Sequence, residues 1–384
     1  MDEPSRASVD LDNVKELFPR RGVGFLHSIE DKASMVRGGY RAGKRAAEKG
    51  LDADGLLFAG MGFSGVTANL VQDAATRALD CPFTVVKHYQ FPRHVKPGWQ
   101  CLAVSYSGET EETLSVVKTA KERGVPITAF TCGGTISTLA DRIVRQPNGF
   151  QPRAAFAFTW FSILGWLEGS GLLQEKVPVK ETVEALRGVD RTCGPEVPES
   201  YNEAKQIARL LWHKIPQIYA TPAFYGVGQH FRGMLNENAK KISDVDLVPE
   251  SNHNDLTAWS GDIDGRKLFT VLELSHENQN PELRKRLQYM RRRYTEWGVP
   301  WHAKVFPAVN SFADHVVAQA TAIQFLDYTS VYVAALKGED PSDIREIRSL
   351  KGYLRGQAKP GAANASRPVA VARAARPAAR KRTS

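Results

Sequence analysis

Residues 236–259, NENAKKISDVDLVPESNHNDLTAW, place a carboxylate and an imidazole in strongly polar surroundings. Glu237 stands between two asparagines, and His253 stands between two more, sixteen residues further along the chain. Glutamate and histidine are the side chains that most often move protons near neutral pH. Polar clusters of this kind do not build cores, so the stretch is either a solvated surface or a site of acid–base chemistry.

A second chemically suggestive segment is SYSGETEET, residues 105–113, which follows a predicted strand and opens a predicted helix. Ser105, Ser107 and Thr110 bring three hydroxyl groups around one turn. A helix start also offers free N–H groups and the positive end of its dipole to an anion. Serine or threonine capping the helix is the plainer alternative. The density of hydroxyl groups favours anion binding.

A third segment, GMGFSG, residues 60–65, is also rich in small residues after a strand. Small residues let the backbone approach a ligand closely. The segment is neither GxGxxG nor a P-loop, since no GK[ST] follows. An ordinary tight turn therefore explains it at least as well as a ligand-binding loop does.

Arg153, in GFQPRAAF, stands at the start of the next predicted helix. Its guanidinium could hold a carboxylate, a phosphate or an enediolate, although a lone arginine is more often a surface residue. The nine histidines are dispersed and HExxH is absent, so no residues have metal-ligand spacing. The sequence therefore predicts neither a metal nor a cofactor.

Short apolar runs alternate with amphipathic segments and predict the elements that position these residues. The first series of strands is GLLFAG, FTVVKHY, CLAVSYSG and VPITAFTCGG; the second is IPQIYAT, VDLVP, KLFTVLEL and VPWHAKVFP. Helical segments at 66–79, 111–123, 226–242, 281–297 and 311–336 separate them. Strand–helix–strand spacing indicates parallel strands with crossover helices. We expect two similar α/β units, joined through a charged, Pro/Gly-containing connection at 176–199.

Composition limits the other classes of function. Of the 384 residues, 42% are hydrophobic, and the net charge is +9. Residues 355–384 hold eight Lys/Arg and no acidic residue, so the body retains 43 basic and 42 acidic residues. The tail is Ala/Arg/Pro-rich and is predicted to be disordered, with at most weak, salt-sensitive binding to nucleic acid.

The expected location is the cytoplasm. The four cysteines are scattered and form no CxxC pair, which suits a reducing compartment. The N-terminal residues are acidic and lack the apolar core of a signal peptide. The longest apolar run, AAFAFTWFSILGWL, falls short of the ~20 residues that span a bilayer, and we expect a buried helix there.

From about Gly60 to Leu354, this sequence resembles the bifunctional phosphoglucose/phosphomannose isomerases of the sugar isomerase (SIS) superfamily. Six motifs occur in the same order in that family: GMGxSG, SYSGxTxETL, QPR, NENAK, NHN and a final IxxLK. NENAK followed by NHN is the most specific part. The resemblance implies two tandem SIS domains, each a mainly parallel sheet flanked by helices in three α/β/α layers. The expected ranges are 1–45 for an N-terminal helical segment, 46–185 and 186–354 for the domains, and 355–384 for the tail.

The resemblance also implies roles for individual residues. Glu237 matches the catalytic base, His253 the ring-opening residue, Arg153 the group that stabilises the intermediate, and Lys351, in IRSLKGYL, a C-terminal lysine that reaches the sugar ring. The residues matching the sugar-phosphate site are Ser64, Ser105, Ser107 and Thr110, with Gly62, Gly65 and Gly108 in the substrate loops. The implied substrate is a phosphorylated hexose, and the implied assembly is a homodimer in which His253 enters the neighbouring subunit's site.

Two positions depart from the family pattern. Phe63 stands where the family often has glycine, and we expect it to narrow the first loop. Glu109 stands where asparagine is common, and a carboxylate beside a phosphate is repulsive unless it points away. Glu109 could point away, because acidic residues suit a helix N-terminus. Both departures bear on sugar or phosphate preference more than on the reaction class.

The sequence favours an isomerase that interconverts fructose 6-phosphate with glucose 6-phosphate and, by the resemblance, mannose 6-phosphate, without a metal. A catalytically silent sugar-phosphate sensor on the same fold is the main alternative. NENAK and NHN discriminate between them, because a sensor needs neither a base nor a ring-opening histidine. No residues indicate a membrane partner.

Overall fold

The computed structural model describes residues 9–76, 78–354 and 356. Within this part of the chain the strands form two sheets, both entirely parallel. The first has the order β2-β1-β3-β4-β5 and contains β1 (Gly55–Gly60), β2 (Phe83–Val86), β3 (Trp99–Val104), β4 (Ile127–Thr131) and β5 (Arg142–Arg145). The second has the order β7-β6-β8-β9 and contains β6 (Ile215–Ala220), β7 (Asp244–Leu247), β8 (Phe269–His276) and β9 (Trp301–Phe306).

Helices connect and cover the sheets. The α-helices are α1 (Arg20–Glu30), α2 (Lys32–Ala46), α3 (Gly62–Ala75), α4 (Glu111–Glu122), α5 (Ile136–Leu139), α6 (Phe156–Ser170), α7 (Val179–Cys193), α8 (Glu203–Leu211), α9 (Tyr225–Ala239), α10 (Asp255–Gly261), α11 (Pro281–Glu296), α12 (Phe312–Lys337) and α13 (Arg345–Leu354). Short 3-10 helices lie at Leu11–Leu17, Glu199–Tyr201, Pro222–Phe224, Glu250–His253 and Gly265–Leu268. The prediction of two parallel-sheet α/β domains with flanking helices is confirmed.

Both faces of each sheet are covered. In β1, Leu56 and Phe58 join one apolar cluster, whereas Leu57 and Ala59 join another on the opposite face. Continuous apolar runs such as GLLFAG are therefore expected of these strands, because both side-chain directions meet a helix layer. The predicted ranges 46–185 and 186–354 each enclose one sheet, and their exact boundaries stay predictions.

The predicted connection at 176–199 is mostly α7. Val183, Leu186, Val189 and Cys193 are buried at helical spacing along its inner face. The charged residues between them form the outer face, and they conceal the helical pattern when the sequence is scanned for composition alone. The run AAFAFTWFSILGWL lies in α6 and the turn before it, where most side chains are buried, as predicted.

The chain divides into a unit that ends at Ser342 and a second unit that begins at Asp343. The described part of the second unit contains α13. Apart from Gly356, the predicted disordered tail 355–384 lies outside the described residues. All four cysteines are free. Among the described residues, none of the helices has the length and apolar character needed to cross a membrane.

Candidate active site

The loop between β3 and α4 carries the predicted anion-binding hydroxyl groups. Thr110 occupies the cap position of α4, but its side chain makes no capping hydrogen bond. Instead, Thr110 Oγ1 and Ser105 Oγ are 2.9 Å apart, and Ser105 Oγ also accepts the Gly108 N–H at 3.1 Å. Ser107 Oγ accepts the Glu109 N–H at 3.2 Å. The three hydroxyl groups therefore form hydrogen bonds within the β3–α4 loop. This disfavours the alternative in which their role is to cap α4.

Gly108 is required by the shape of this loop. Its φ is +71°, and a Cβ there would lie 1.8 Å from the carbonyl oxygen of Gly133. Any side chain would both strain the backbone and collide with the β4–α5 turn. Thr113, in the first turn of α4, has a buried hydroxyl without a partner among the described residues. It extends the set of hydroxyl groups at this helix start and was not a predicted site residue.

The first loop lies at the same edge of the first sheet. Because β1 and β3 are neighbouring parallel strands, with Gly60 paired to Val104, their carboxyl ends lie side by side. α3 begins at Gly62, so Ser64 stands in its first turn. A Cβ on Gly65 would lie 2.7 Å from the Gly60 carbonyl oxygen, so this glycine lets α3 start close against β1. Both predicted loops therefore face one region.

The two departures from the family pattern do not obstruct the loops. The ring of Phe63 is buried, with its centroid 5.3 Å from that of His230 and 6.2 Å from that of Phe156. It packs into the core, so it does not narrow the loop as expected. Glu109 accepts the Thr135 N–H at 2.6 Å and the Thr135 hydroxyl at 3.0 and 3.1 Å. Both carboxylate oxygens of Glu109 are therefore bound to Thr135 of the β4–α5 turn.

Arg153 and Glu237 meet in an ion pair. Arg153 Nη1 donates to Glu237 Oε2 at 2.8 Å. The side chain of Arg153 is only 1% exposed, whereas that of Glu237 is 24% exposed. The guanidinium of this pair is thus buried, whereas the carboxylate of Glu237 is accessible to a ligand. The pair joins the start of the α6 segment to the end of α9, 84 residues apart in sequence.

Each of the three guanidinium nitrogen atoms of Arg153 donates a hydrogen bond. Its Nε donates to Asn238 Oδ1 at 2.9 Å, and its Nη2 donates to the Pro341 carbonyl oxygen at 2.6 Å. Burial lowers the pKa of Arg153, and the carboxylates nearby oppose this shift. A guanidinium nevertheless stays protonated in proteins. The guanidinium of Arg153 is therefore a positive charge that is fixed in place, with Nη1 directed at Glu237.

Asn238 helps to hold the guanidinium of Arg153 in position. It is fully buried, and its Nδ2 donates to Ser330 Oγ in α12 at 2.8 Å. Lys240 then ends α9 in the left-handed conformation, with φ of 48°. Its Nζ donates to the carbonyl oxygens of Glu237 and Asp340 at 3.0 and 2.6 Å. The NENAK segment therefore supplies the carboxylate of the ion pair, a support for the arginine and a helix end.

A buried ionic cluster lies further along the same helices. Asp327 of α12 is 2.5 Å from Lys32 Nζ and 2.7 Å from His230 Nε2. All three side chains are at most 3% exposed. Because a carboxylate oxygen only accepts, His230 Nε2 carries a proton and donates it to Asp327 in this contact. The cluster ties α2, α9 and α12 together beneath the ion pair, and sequence reasoning did not find it.

His253 and Lys351 are not members of this ion pair. His253 ends the 3-10 helix Glu250–His253 and is exposed. No hydrogen bond to its ring comes from any residue in the described ranges. Lys351 is exposed on α13, in the unit that begins at Asp343. Their roles stay predictions. The described residues contain no group of three or more His, Cys, Asp or Glu side chains placed to hold a metal.

Two family descriptions match separate parts of the chain. "SIS domain" matches residues 51–159, which include the Ser105 loop and Arg153. "Bacterial phospho-glucose isomerase C-terminal SIS domain" matches residues 200–354, which include Glu237 and His253. The two halves of the site thus fall in two matched domains.

Full-length relatives agree with this division. A bifunctional phosphoglucose/phosphomannose isomerase of Caldicellulosiruptor bescii is 29% identical over 338 residues, which cover 86% of this chain and 98% of the relative. Its counterpart in Aquifex aeolicus is 28% identical over 312 residues, covering 79% and 91%. The solved C-terminal domain of glucosamine-fructose-6-phosphate aminotransferase from Francisella tularensis shares the fold, with a TM-score of 0.63 at 15% identity over 82% of this chain and 97% of that one. The chain is thus similar over most of its length to bifunctional phosphoglucose/phosphomannose isomerases, and two separate stretches of it match SIS-domain families.

Proposed function

We propose that this protein interconverts fructose 6-phosphate with glucose 6-phosphate and mannose 6-phosphate through an enediolate, without a metal. The observation that carries the proposal is the Arg153–Glu237 ion pair: a partly exposed carboxylate on a buried guanidinium that donates a hydrogen bond from each of its three nitrogen atoms. Moving a proton between C1 and C2 needs a base and a fixed positive charge for the intermediate. The pair provides both.

The charge balance of the ion pair suits this reaction. Before proton transfer, the guanidinium of Arg153 stabilises the carboxylate of Glu237, the form that accepts a proton. When Glu237 takes the proton, the negative charge moves to the enediolate. Arg153 then pairs with the intermediate. Its hydrogen bonds to Asn238 and to the Pro341 carbonyl oxygen hold the guanidinium in place during this step. Such preorganised charge is the usual largest contribution to catalysis.

The hydroxyl loop would hold the phosphate. Ser105, Ser107 and Thr110 lie at the start of α4, where backbone N–H groups also favour an anion. Ser64, from the neighbouring loop, stands at the same sheet edge. Holding the phosphate there fixes the sugar at one end, so that the carbon chain can meet Glu237. Lys351, on α13, is assigned to the sugar ring by the resemblance alone.

His253 would open the sugar ring in the partner subunit. Its exposed imidazole, without a hydrogen-bond partner in the described part of the chain, supports this proposal. In a two-fold dimer each contact occurs twice, so two composite sites form. We therefore propose an obligate homodimer in which NENAK of one subunit and NHN of the other share a pocket.

Turnover is expected to be independent of metal. Purified protein dialysed against EDTA should convert fructose 6-phosphate to glucose 6-phosphate in a coupled assay at the rate of undialysed protein, because Glu237 and Arg153 need no ion. Mannose 6-phosphate should be followed separately in the same reaction. Loss of activity on prolonged chelation, restored by zinc, would show that the mechanism is wrong.

Ser107→Ala and Thr110→Val are each expected to raise KM for phosphorylated hexoses. A hydrogen bond to a charged group contributes about 1.5–3 kcal/mol, so each change should weaken binding by at most this amount. Ser137→Ala, at a half-buried serine of α5 outside the loop, serves as the matched control. An unchanged KM in both loop variants would mean that this loop does not hold the phosphate.

Mixing inactive Glu237→Gln and His253→Ala dimers is expected to restore activity. Random exchange makes about half of the dimers mixed, each with one intact site, so about a quarter of wild-type activity is the ceiling. Subunit exchange is verified with two affinity tags. If tagged heterodimers form and remain inactive, both residues act within one chain and the shared site is excluded.

A further inference from the structure

The second sheet repeats the arrangement that holds the hydroxyl loop in the first. In the orders β2-β1-β3-β4 and β7-β6-β8-β9, β8 stands where β3 stands. The first residue of each following loop is anchored alike: the Ser105 N–H donates to the Phe130 carbonyl oxygen, and the Glu277 N–H donates to that of Phe306. The β8–α11 loop is thus the counterpart of the β3–α4 loop, at the strand end where α/β folds bind ligands.

A cavity of about 200 Å³ lies at this second loop. At about 30 Å³ per water molecule, it has room for about six waters, more than a packing defect leaves. Most of the residues that line it carry polar side chains, among them Glu273, Ser275, His276, Gln279, Arg284 and Arg291. None of these residues belongs to the proposed isomerase site.

The hydrogen bonds at the cavity leave donors unused. Gln279 is 6% exposed, and its buried Nε2 has no partner among the described residues. Arg284 donates one N–H, from Nη2, to the Glu277 carbonyl oxygen at 3.0 Å. A guanidinium has five N–H donors, so further donors of Arg284 remain for a ligand. A buried amide without a partner is costly, and a bound acceptor would satisfy it.

The buried carboxylate of the cavity is already neutralised. Glu273 Oε1 accepts the Ser275 hydroxyl at 2.7 Å. Its Oε2 accepts Arg291 Nη2 at 2.8 Å and Trp301 Nε1 at 2.9 Å. Glu273 therefore presents little free charge to a second anion, although the exposed Glu277 carboxylate opposes one.

The helix beside the cavity is strongly basic. α11, PELRKRLQYMRRRYTE, has six Lys/Arg and two Glu, and its N-terminus follows the loop directly. Arg284 and Arg291 are spaced by two helical turns and line the cavity on one face. The field of the helix and the positive end of its dipole both favour a negative ligand.

We propose that this cavity is a second anion site, which binds a phosphate group, free or on a small metabolite, through Gln279 Nε2, Arg284 and the start of α11. It is a site separate from the hydroxyl loop, repeated by the fold in the second domain. Arg291 orients Glu273 and closes the inner wall.

The test measures phosphate binding directly, with inorganic phosphate and fructose 6-phosphate as probes and isothermal titration as the readout. The full-length protein carries Ser107→Ala and Thr110→Val to weaken the first site. In this background, Gln279→Leu and Arg284→Gln should each weaken binding of at least one probe about tenfold, as loss of a hydrogen bond to an anion does. Lys285→Gln removes the same charge from the neighbouring exposed residue, which pairs with Glu282, and should change binding less than about twofold.

Binding of inorganic phosphate alone identifies a free-ion site, and binding of both probes identifies a phosphate-ester site. Equal weakening by Arg284→Gln and Lys285→Gln would show only the general field of a basic helix and overturn the proposal. So would binding that neither Gln279→Leu nor Arg284→Gln changes, or no binding in the background protein. Leucine replaces a buried amide without a partner, so folding of that variant is expected to survive, as thermal denaturation verifies. Binding needs no turnover, so these outcomes are independent of whether the isomerase proposal holds.

Discussion

Replacing Glu237 with glutamine is expected to lower kcat for fructose 6-phosphate by about 10²–10⁴-fold, the range that a positioned general base contributes. Glutamine has nearly the same shape, and its carbonyl oxygen can still accept from Arg153 Nη1. It cannot take a proton from carbon. The dissociation constant of the sugar phosphate, measured by titration, should therefore change little while turnover falls.

Glu122→Gln is the matched control for this substitution. Glu122 is exposed at the far end of α4 from the hydroxyl loop, and its variant should retain wild-type kcat. If Glu237→Gln kept at least a tenth of the wild-type kcat, another residue would have to be the base. A wild-type protein that turned over no substrate would instead support the sugar-phosphate sensor.

Replacing Asp327 with asparagine is expected to destabilise the fold by about 3–5 kcal/mol, as does removal of one partner from a buried ion pair. Lys32, 3% exposed, would remain charged and lose its carboxylate. Asparagine preserves the shape and can still accept from His230. The measurement is urea denaturation followed by fluorescence at neutral pH.

A second substitution tests the cause of that loss. Adding Lys32→Met to Asp327→Asn removes the unpaired buried cation, so the double variant should recover most of the stability. Glu282→Gln, which breaks the exposed pair with Lys285, should leave the unfolding midpoint nearly unchanged. A double variant no more stable than Asp327→Asn would show that burial of unpaired Lys32 is not the cause.

The same cluster predicts a pH dependence. Burial raises the pKa of Asp327, but Lys32 and His230 lower it by more, so it lies below the ordinary value of 3.8. A carboxyl group with a lowered folded-state pKa stabilises the fold at pH values above its unfolded-state pKa. This contribution is lost as the pH falls below about 3.8 and through the folded-state pKa. Acid denaturation of wild type and Asp327→Asn should therefore converge at low pH.

The elements that position the site could be read from the sequence because their patterns are local. GLLFAG and CLAVSYSG are strands buried on both faces, so their apolar runs are continuous. The glycine and hydroxyl groups after them mark loops at a strand end. β5, RIVR, was not predicted because it is a short edge strand with an arginine at each end. Charged residues protect an exposed edge from pairing with another strand, and they also hide the apolar pattern by which a strand is predicted.

The arrangement around Arg153 could not be read in the same way. Its partners, Asn238 and Pro341, are 85 and 188 residues distant, and no periodicity relates them. Only the fold shows that a lone arginine is buried and paired. The resemblance named Arg153 and Glu237 individually, whereas the support by Asn238, Ser330 and Lys240 required the packing of α9 against α12.

The cluster of Lys32, Asp327 and His230 illustrates the same limit. A lysine in a helix is by default a surface residue, and nothing near Lys32 in sequence indicates its burial. Its carboxylate partner comes from α12, and the ring of His230 packs between Phe63 and Phe156. Tertiary contacts of this kind override the preference of each residue type.

The most direct test of the account supplies glucose 6-phosphate to the EDTA-treated wild-type protein in ²H₂O and follows the sugars by NMR. The account predicts that fructose 6-phosphate and mannose 6-phosphate both appear. It also predicts that deuterium enters at C1 of fructose 6-phosphate and at C2 of glucose 6-phosphate and mannose 6-phosphate, because Glu237 is 24% exposed and its proton can exchange with solvent. Glucose 6-phosphate that binds but stays chemically unchanged would contradict the account and identify the protein as a sugar-phosphate binder without isomerase activity.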